Sequence, residues 1–231
     1  MAKKSRRGES VQEVYTDLFN RLIKGDLKPG DRIREADITR SFESSRTPVR
    51  EAIKRLEMEG VLTRDAGGGL SVLKLDHTMI AELYVMREVL ESTAAQLAAK
   101  NATPPKVLSL EKILDRHRES LDDPKKASIN NRIFHSTIYT MANNQYLIRA
   151  MSAMSGPVAL LTPSSMRDES RAKQTVEEHV KIYEAIANGD PAAAGEAAKI
   201  HVQNSYRARL GDLFEQLYDH DLFIDPLTLR S

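Results

Sequence analysis

Two sets of residues in this sequence have the types and spacing to do chemistry. The first is the run Ser45-Arg46-Thr47-Pro48-Val49-Arg50. A helix laid in the DNA major groove turns its N-terminal residues toward base edges, and arginine is the side chain that pairs bidentately with guanine O6 and N7. Thr47 reads as an N-cap, with Pro48 at the first helical position, where its missing N–H leaves nothing unsatisfied. Arg46 then lies just before the cap and Arg50 in the first turn. Ser45 and Thr47 are short enough to meet phosphate. Arg34 joins this set, as do Gly67 and Gly68 of the run Gly67-Gly68-Gly69, which lets a backbone approach a groove or phosphate closely.

The second set is the histidines, six in all. His77 opens a helical stretch, and His117 and His220 sit among charges; these three read as surface groups. His135, His179 and His201 fall on three separate helical stretches. Imidazoles from three helices can converge in a bundle core and hold a divalent metal. Spacing alone equally allows three core histidines satisfied by packing. Asn131 precedes His135 by four residues and so shares its side of the helix.

These residues need elements to hold them. Val11, Val14, Tyr15, Leu18, Phe19, Leu22 and Ile23 repeat at helical spacing, and Lys28-Pro29-Gly30-Asp31 breaks the pattern. A short helix follows over about 35–41. Val49, Ala52, Ile53 and Leu56 form the stripe of the next helix, which Gly60 ends in the C′ position. Residues 61–64 and 70–73 read as two strands joined by the glycine turn. Helix, helix, helix, hairpin is the order of a winged helix-turn-helix. From Asp76 onward only helical periodicity is present. One helix carries Met79, Ile80, Leu83, Met86, Val89, Leu90 and Leu97 and stops at Asn101-Ala102-Thr103-Pro104-Pro105. Five more fit about 105–121, 124–142, 144–161, 165–188 and 191–218. The fold class is therefore mainly α: a basic disordered tail over 1–9, a winged helix-turn-helix over 10–75, an antiparallel all-α bundle over 76–218 and a loose tail over 219–231. Lys74-Leu75-Asp76-His77 is the expected hinge.

Composition agrees. The 231 residues are 41% hydrophobic and 29% charged, ordinary for a soluble protein with a packed core. There is no Cys, which excludes a disulfide scaffold, a thiol nucleophile and a thiolate metal site. The absence of Trp argues against an aromatic sugar platform. No apolar run approaches about 18 residues, so no membrane span is expected, and the basic N-terminus lacks the apolar segment of a secretory signal. A cytoplasmic location is the expectation. Residues 1–75 hold 16 Lys/Arg against 12 Asp/Glu, while 76–231 hold 18 against 21. The positive part is thus the part with the reading helix, where a polyanion would sit.

Residues 10–75 resemble the winged-helix domain of the GntR family of bacterial transcription regulators, through Leu27-Lys28-Pro29-Gly30-Asp31-Arg32-Ile33 and Ser45 to Leu62. Residues 78–210 resemble the FadR-type effector domain, FCD, through Leu83 to Glu91, Phe134-His135 and Glu178 to Ile186. The six-helix count is similar to the shorter, VanR-like branch. The resemblance implies a homodimeric, metabolite-responsive repressor on a palindromic double-stranded operator. It also implies a metal, zinc first with nickel or manganese as substitutes, on an Asp-x-x-x-His pair and two later histidines. His135, His179 and His201 match; Asn131 stands where the family usually has Asp. Three neutral imidazoles and a neutral amide leave a divalent ion at net +2, which favours an anionic ligand. Arg87 matches the family's effector-contacting arginine and would offer a fork to a small carboxylate, although a salt bridge to Glu91 at i+4 is the other reading.

Two other classes fit parts of the pattern. A three-histidine metal with an open position is also how a hydrolytic zinc enzyme is built. That enzyme needs a base beside the metal-bound water. Glu178 adjoins His179, but i+1 neighbours on a helix point apart. The alternative is a DNA-binding protein whose helical half holds no ligand. Release from DNA by a ligand separates that reading from a regulator.

Overall fold

The computed structural model describes the backbone of residues 2–42, 45–165 and 168–221, with side chains over 11–22, 24–42, 45–161 and 168–211. The first domain comprises α1 (Ala2–Lys24), β1 (Arg32–Ile33), α2 (Glu35–Ser41), α3 (Arg46–Met58), β2 (Leu62–Arg64) and β3 (Leu70–Val72). The helical domain comprises α4 (His77–Lys100), α5 (Pro104–Glu119), α6 (Pro124–Met141), α7 (Gln145–Ser165), α8 (Glu169–Ala187) and α9 (Pro191–Asp221). No helix among the described residues is long and apolar enough to cross a membrane.

Three details differ from the sequence reading. The segment expected to be a disordered tail is helical from Ala2, as part of α1. The cap of α3 is Ser45, in extended conformation, so Arg46 and not Pro48 opens the helix. A third strand is present: β3 is central, paired antiparallel to β1 through Ile33 with Leu70 and to β2 through Leu62 with Val72. Residues 222–231, most of the expected C-terminal tail, lie outside the described residues.

The helix ends follow capping chemistry. Asp76 accepts from Met79 N at 2.8 Å, Asp123 from the amides of Lys125 and Lys126, and Asp168 from Ser170 N. Pro104, Pro124 and Pro191 occupy first positions. Gly60, at φ +65°, closes α3 in the left-handed region.

Val14, Leu18, Val49, Ile53, Leu56, Val61 and Val72 make the core of the first domain. The larger core of the helical domain runs from Ala94 and Ala98 on α4 through Leu110, Phe134 and Ile138 to Ile182, Ile186 and Ala198. The small residues let α4 and α9 approach closely: Ser92 Oγ donates to the Gly195 carbonyl at 3.0 Å.

The two domains meet on α7. Leu160 packs into the first domain's core, while Leu161 joins Ile80, Tyr84 and Val202 on the other side. Gly156 and Pro157 sit on the end of α3. A Cβ on Gly156 would overlap the carbonyl oxygen of Glu59 and lie 2.5 Å from Val61 Cγ2, and Pro157 Cγ is 3.3 Å from where a Cβ on Gly60 would be. Only glycine fits Gly156 in this contact.

Candidate functional site

The exposed site forms on α3 and the wing. The register of α3 turns Val49, Ala52, Ile53 and Leu56 into the core and leaves Arg46, Thr47, Arg50 and Lys54 exposed, lining a shallow groove with Glu51. Arg34 and Ser45 are exposed beside it. Arg50 is held by Glu35, Nε to Oε2 at 3.2 Å, and Glu35 also takes Arg64 Nη2 at 3.0 Å. These two guanidiniums hold the Glu35 carboxyl below its ordinary range; hydrogen bonding from Arg64 is the largest cause. The wing glycines have a local reason. Asp65 Oδ1 accepts from Gly67 N at 2.9 Å and Gly69 N at 2.7 Å, and Gly68 turns at φ +78°. Lys54, Arg64 and the exposed Arg32 were missed from the sequence. Lys54 had a signal, one turn beyond Arg50 on the same face.

The buried site lies in the helical bundle. α6, α8 and α9 bring His135, His179 and His201 together, all buried, with one potential ligand atom from each within 4.8 Å of the others. Two of the rings are held by matching chains. Arg87 Nε donates to Glu91 Oε1 at 2.8 Å, and Glu91 Oε2 takes His135 Nδ1 at 3.0 Å. Arg171 donates from both terminal nitrogens to Glu178 at 2.9 Å, and Glu178 Oε2 takes His201 Nδ1 at 2.7 Å. An ionised carboxylate only accepts, so both Nδ1 atoms carry the proton and both Nε2 atoms offer lone pairs. Burial opposes the charge on each carboxylate. His201 and Arg171 outweigh it and hold Glu178 at about 2, and Arg87 with His135 holds Glu91 lower still.

The third ring, His179, stacks on Phe134 with centroids 4.1 Å apart. Neither of its nitrogens has a partner, and His135 Nε2 and Asn131 Oδ1 are likewise buried and unpartnered. Unpaired polar atoms in a core are costly unless something fills the space beside them. Burial pushes the pKa of His179 far below its ordinary value and lowers that of His201 too, so both rings are neutral ligands at pH 7. Three converging imidazoles suit a late first-row divalent ion, and Asn131 lines the same pocket as His135.

The sequence placed His117 on the surface. It is fully buried, its ring 5.2 Å from that of His179, with both nitrogens unpartnered and its pKa lowered to about 4 by desolvation. Arg87 is buried and faces the site, but its charge is matched by Glu91. His77 is exposed, as expected, and the side chain of His220 lies outside the described residues.

A pocket of about 460 Å³ opens above the cluster between α4, α6 and α7. Arg87, Glu91, Asn131 and His135 line its inner end; Ile129, Ile133, Ile148, Met151, Met154 and Val158 make its sides. A mostly apolar cleft with few convergent polar groups is the usual form of a small-molecule site.

Comparison with known proteins gives the same division. Residues 10–72 match the model of the bacterial regulatory proteins of the gntR family, and residues 82–204 match that of the FCD domain. An uncharacterised HTH-type transcriptional regulator of Bacillus subtilis, YdhC, is 28% identical over 82% of this chain and 84% of its own length. The gluconate operon transcriptional repressor of the same species is 29% identical over 78% and 73%. The structure of Escherichia coli McbR/YncC has the same fold, with a TM-score of 0.74 at 22% identity over 90% of this chain and 98% of that one.

Proposed function

Because the chain belongs to the GntR family of bacterial regulatory proteins and carries an FCD domain, we propose that it is a transcriptional repressor released from its operator by a small carboxylate. The carboxylate enters the pocket between α4, α6 and α7 and binds at a divalent ion on His135, His179, His201 and Asn131, zinc in the first instance. Relatives named as operon repressors support the direction of control.

One observation carries the ligand class. The two carboxylates closest to the imidazoles are already neutralised, Glu91 by Arg87 and Glu178 by Arg171. With Asn131 in place of an acid, nothing among the described residues of the cluster offsets the ion's two positive charges. An anion drawn from solution does. When bound, the metal supplies a Lewis-acidic position for a carboxylate oxygen. The protein's part is to fix the rings through Glu91 and Glu178 and to exclude water with the isoleucine and methionine walls. The same pairing argues against hydrolysis, since neither glutamate is free to act as the base.

Arg46 and Arg50 read bases, Ser45, Thr47 and Arg34 meet phosphate, and Gly67 and Gly68 carry the wing. One winged helix covers too little DNA for tight specific binding, so two copies act on a palindrome. The apolar stripe of α4 suggests Leu83, Val89 and Leu90 for that dimer interface; Leu83 and Leu90 are half-buried against their own chain's cores, while Val89 is exposed. Val85, Met86 and Val89 stay exposed on α4 and are the better candidates. The effector switches the protein by binding the DNA-competent and DNA-incompetent arrangements unequally.

The test is native mass spectrometry of freshly purified protein, followed by operator titration with and without zinc and acetate. We expect a dimer, twice the 25.9 kDa chain, holding one metal per chain, and weaker operator binding when acetate is added. Protein that takes up no metal from excess zinc refutes the metal. Acetate binding that leaves operator affinity unchanged refutes the switch.

A further inference from the structure

The pocket contains a second guanidinium, and its situation differs from that of Arg87. Arg132 lies on α6 between Asn131 and His135, and it lines the pocket. Among the described residues no carboxylate lies within ion-pair reach of it, and its Nε is buried with no hydrogen-bond acceptor. What it touches is in the other domain: the guanidinium carbon lies 5.3 Å from the centre of the Phe19 ring on α1. A half-buried cation resting on an aromatic face retains part of what it lost in leaving water, but among the described residues no side chain accepts from its fork.

We propose that Arg132 is a second anion subsite, so that the effector is a dicarboxylic acid with an apolar middle, and that Arg132 reports occupancy to the DNA-binding domain through Phe19. The inference rests on the carboxylate reading of the pocket given above and adds its far end. One carboxylate goes to the imidazole cluster. The hydrocarbon body lies along Ile129, Ile133 and Met151. The other carboxylate takes the free fork of Arg132. Arg87 cannot serve this end, because its charge is matched by Glu91 at 2.8 Å. Both long walls of the pocket bear on the reading domain, α6 through Arg132 on Phe19 and α7 through Gly156 and Pro157 on the end of α3. A dianion that draws Arg132 toward the pocket loosens the first of these contacts. It therefore binds the released and the docked arrangements unequally, which is what a switch requires.

Calorimetry on zinc-loaded protein with succinate, glutarate and butyrate tests the proposal, using wild type, Arg132→Gln and Phe19→Leu. At least one dicarboxylate should bind wild type more tightly than butyrate does. Arg132→Gln should weaken that dicarboxylate roughly tenfold to a hundredfold, the range for a lost charge-assisted pair, and leave butyrate within about twofold. Phe19→Leu keeps apolar bulk without the ring; it should preserve dicarboxylate affinity while shrinking the ligand's effect on operator binding. Equal losses for butyrate and dicarboxylate in Arg132→Gln, or no loss for either, overturn the subsite. An unchanged operator response in Phe19→Leu overturns the relay. If butyrate binds wild type as well as the dicarboxylates do, the second subsite falls and the carboxylate pocket stands. If none of the three acids binds wild type, the carboxylate reading itself falls.

Discussion

The reading helix and the histidine cluster both gather nitrogen-rich side chains, and they do it in opposite ways. On α3 the cations stand in water, Arg46 and Lys54 exposed and Arg50 loosely tied to Glu35. Around the histidines the charges of Arg87, Glu91, Arg171 and Glu178 are buried and answered by a named partner, in the order arginine, glutamate, histidine, twice over; Arg132, farther out, is the exception. The exposed site is adaptable and takes its precision from the DNA it meets. The buried site is preorganised, because a charge left unpaired there would cost several kcal/mol. The difference sets where substitutions should hurt. Changes at the cluster act on existence of the site, and changes on α3 act on selectivity.

The largest effect is expected at His179. His179→Ala removes the one imidazole of the converging three without a hydrogen-bonded orienter, together with its stack on Phe134. Metal and carboxylate binding should both disappear by calorimetry while the circular dichroism spectrum keeps its helical form. Asn131→Asp should do the reverse to the metal, tightening it about tenfold or more. It should also weaken the bound carboxylate, since the new charge satisfies the ion and repels the anion. If Asp leaves both affinities alone, Asn131 does not serve the site.

Acid comes next. The pKa of His117 is lowered to about 4 from an ordinary value near 6.5, and those of His179 and His201 move the same way. A histidine that is harder to protonate when folded gives stability that is complete above about pH 6.5 and is lost as the pH falls toward the folded value. For His117 alone that is about 2 kcal/mol between about pH 7.5 and pH 5. The carboxylates that hold His135 and His201 fail later, below about pH 4.5, because the folded values of Glu91 and Glu178 are depressed. Denaturant melts of metal-free protein should show the first loss, and His117→Leu should flatten it without weakening zinc. A His117→Leu variant that lost zinc would show His117 to be a ligand.

His117 also shows what the sequence made legible. Leu110, Ile113, Leu114 and His117 follow the i, i+3, i+4, i+7 rule, so the stripe already placed this ring inward. Its charged neighbours Arg116 and Arg118 hid that. The same holds for Tyr84, Arg87, Glu91 and Ala94 on α4, where polar residues occupy core positions and so announce a buried pair. Helical periods gave the bundle's helices to within a few residues, because each buries one face. The strand β1 was invisible: two residues have no period, and its pairing with β3 comes from the turn at Gly30, whose N–H donates to the Val72 carbonyl. The convergence of three histidines depended on crossings between helices, which spacing within one helix does not encode. Glu178 on α8 reaching His201 on α9 is a further example, whereas Arg171 and Glu178 lie two turns apart on one face of α8.

Gly156 tests the joint between the two regions. Gly156→Ala places a methyl group into Glu59 and Val61, so α7 must move off the end of α3. Overpacking of this kind costs about 1–3 kcal/mol. Here much of that should appear as altered operator affinity and a changed response to ligand, with the helical domain's metal affinity unchanged. Loss of metal affinity would mean that the strain spreads into the bundle instead.

The smallest effect should come from Glu35, and it bears directly on the open character of the reading face. Glu35 binds Arg50 and Arg64 at once, and all three side chains are partly exposed. Exposed pairs contribute about 0–1 kcal/mol, so Glu35→Gln should lower stability by less than about 1 kcal/mol. The consequence for DNA is larger than the consequence for the fold. Removing the acid leaves Arg50 and Arg64 without that shared counter-charge and the surface more positive by one charge. Non-operator DNA should then bind a few-fold more tightly, with a steeper dependence on salt, because phosphate contacts release counterions. Operator affinity should rise less, so the ratio between the two should fall. Arg46→Ala gives the contrast: under the base-reading role proposed for Arg46, its loss should cost roughly 1–3 kcal/mol on operator and relax selectivity at one position per half-site. Titrations of both variants on operator and on scrambled duplex across a salt series separate the outcomes. If Glu35→Gln changes neither the salt slope nor the ratio, Arg50 meets DNA in its paired state. Glu35 is then part of the reading surface and not a restraint upon it.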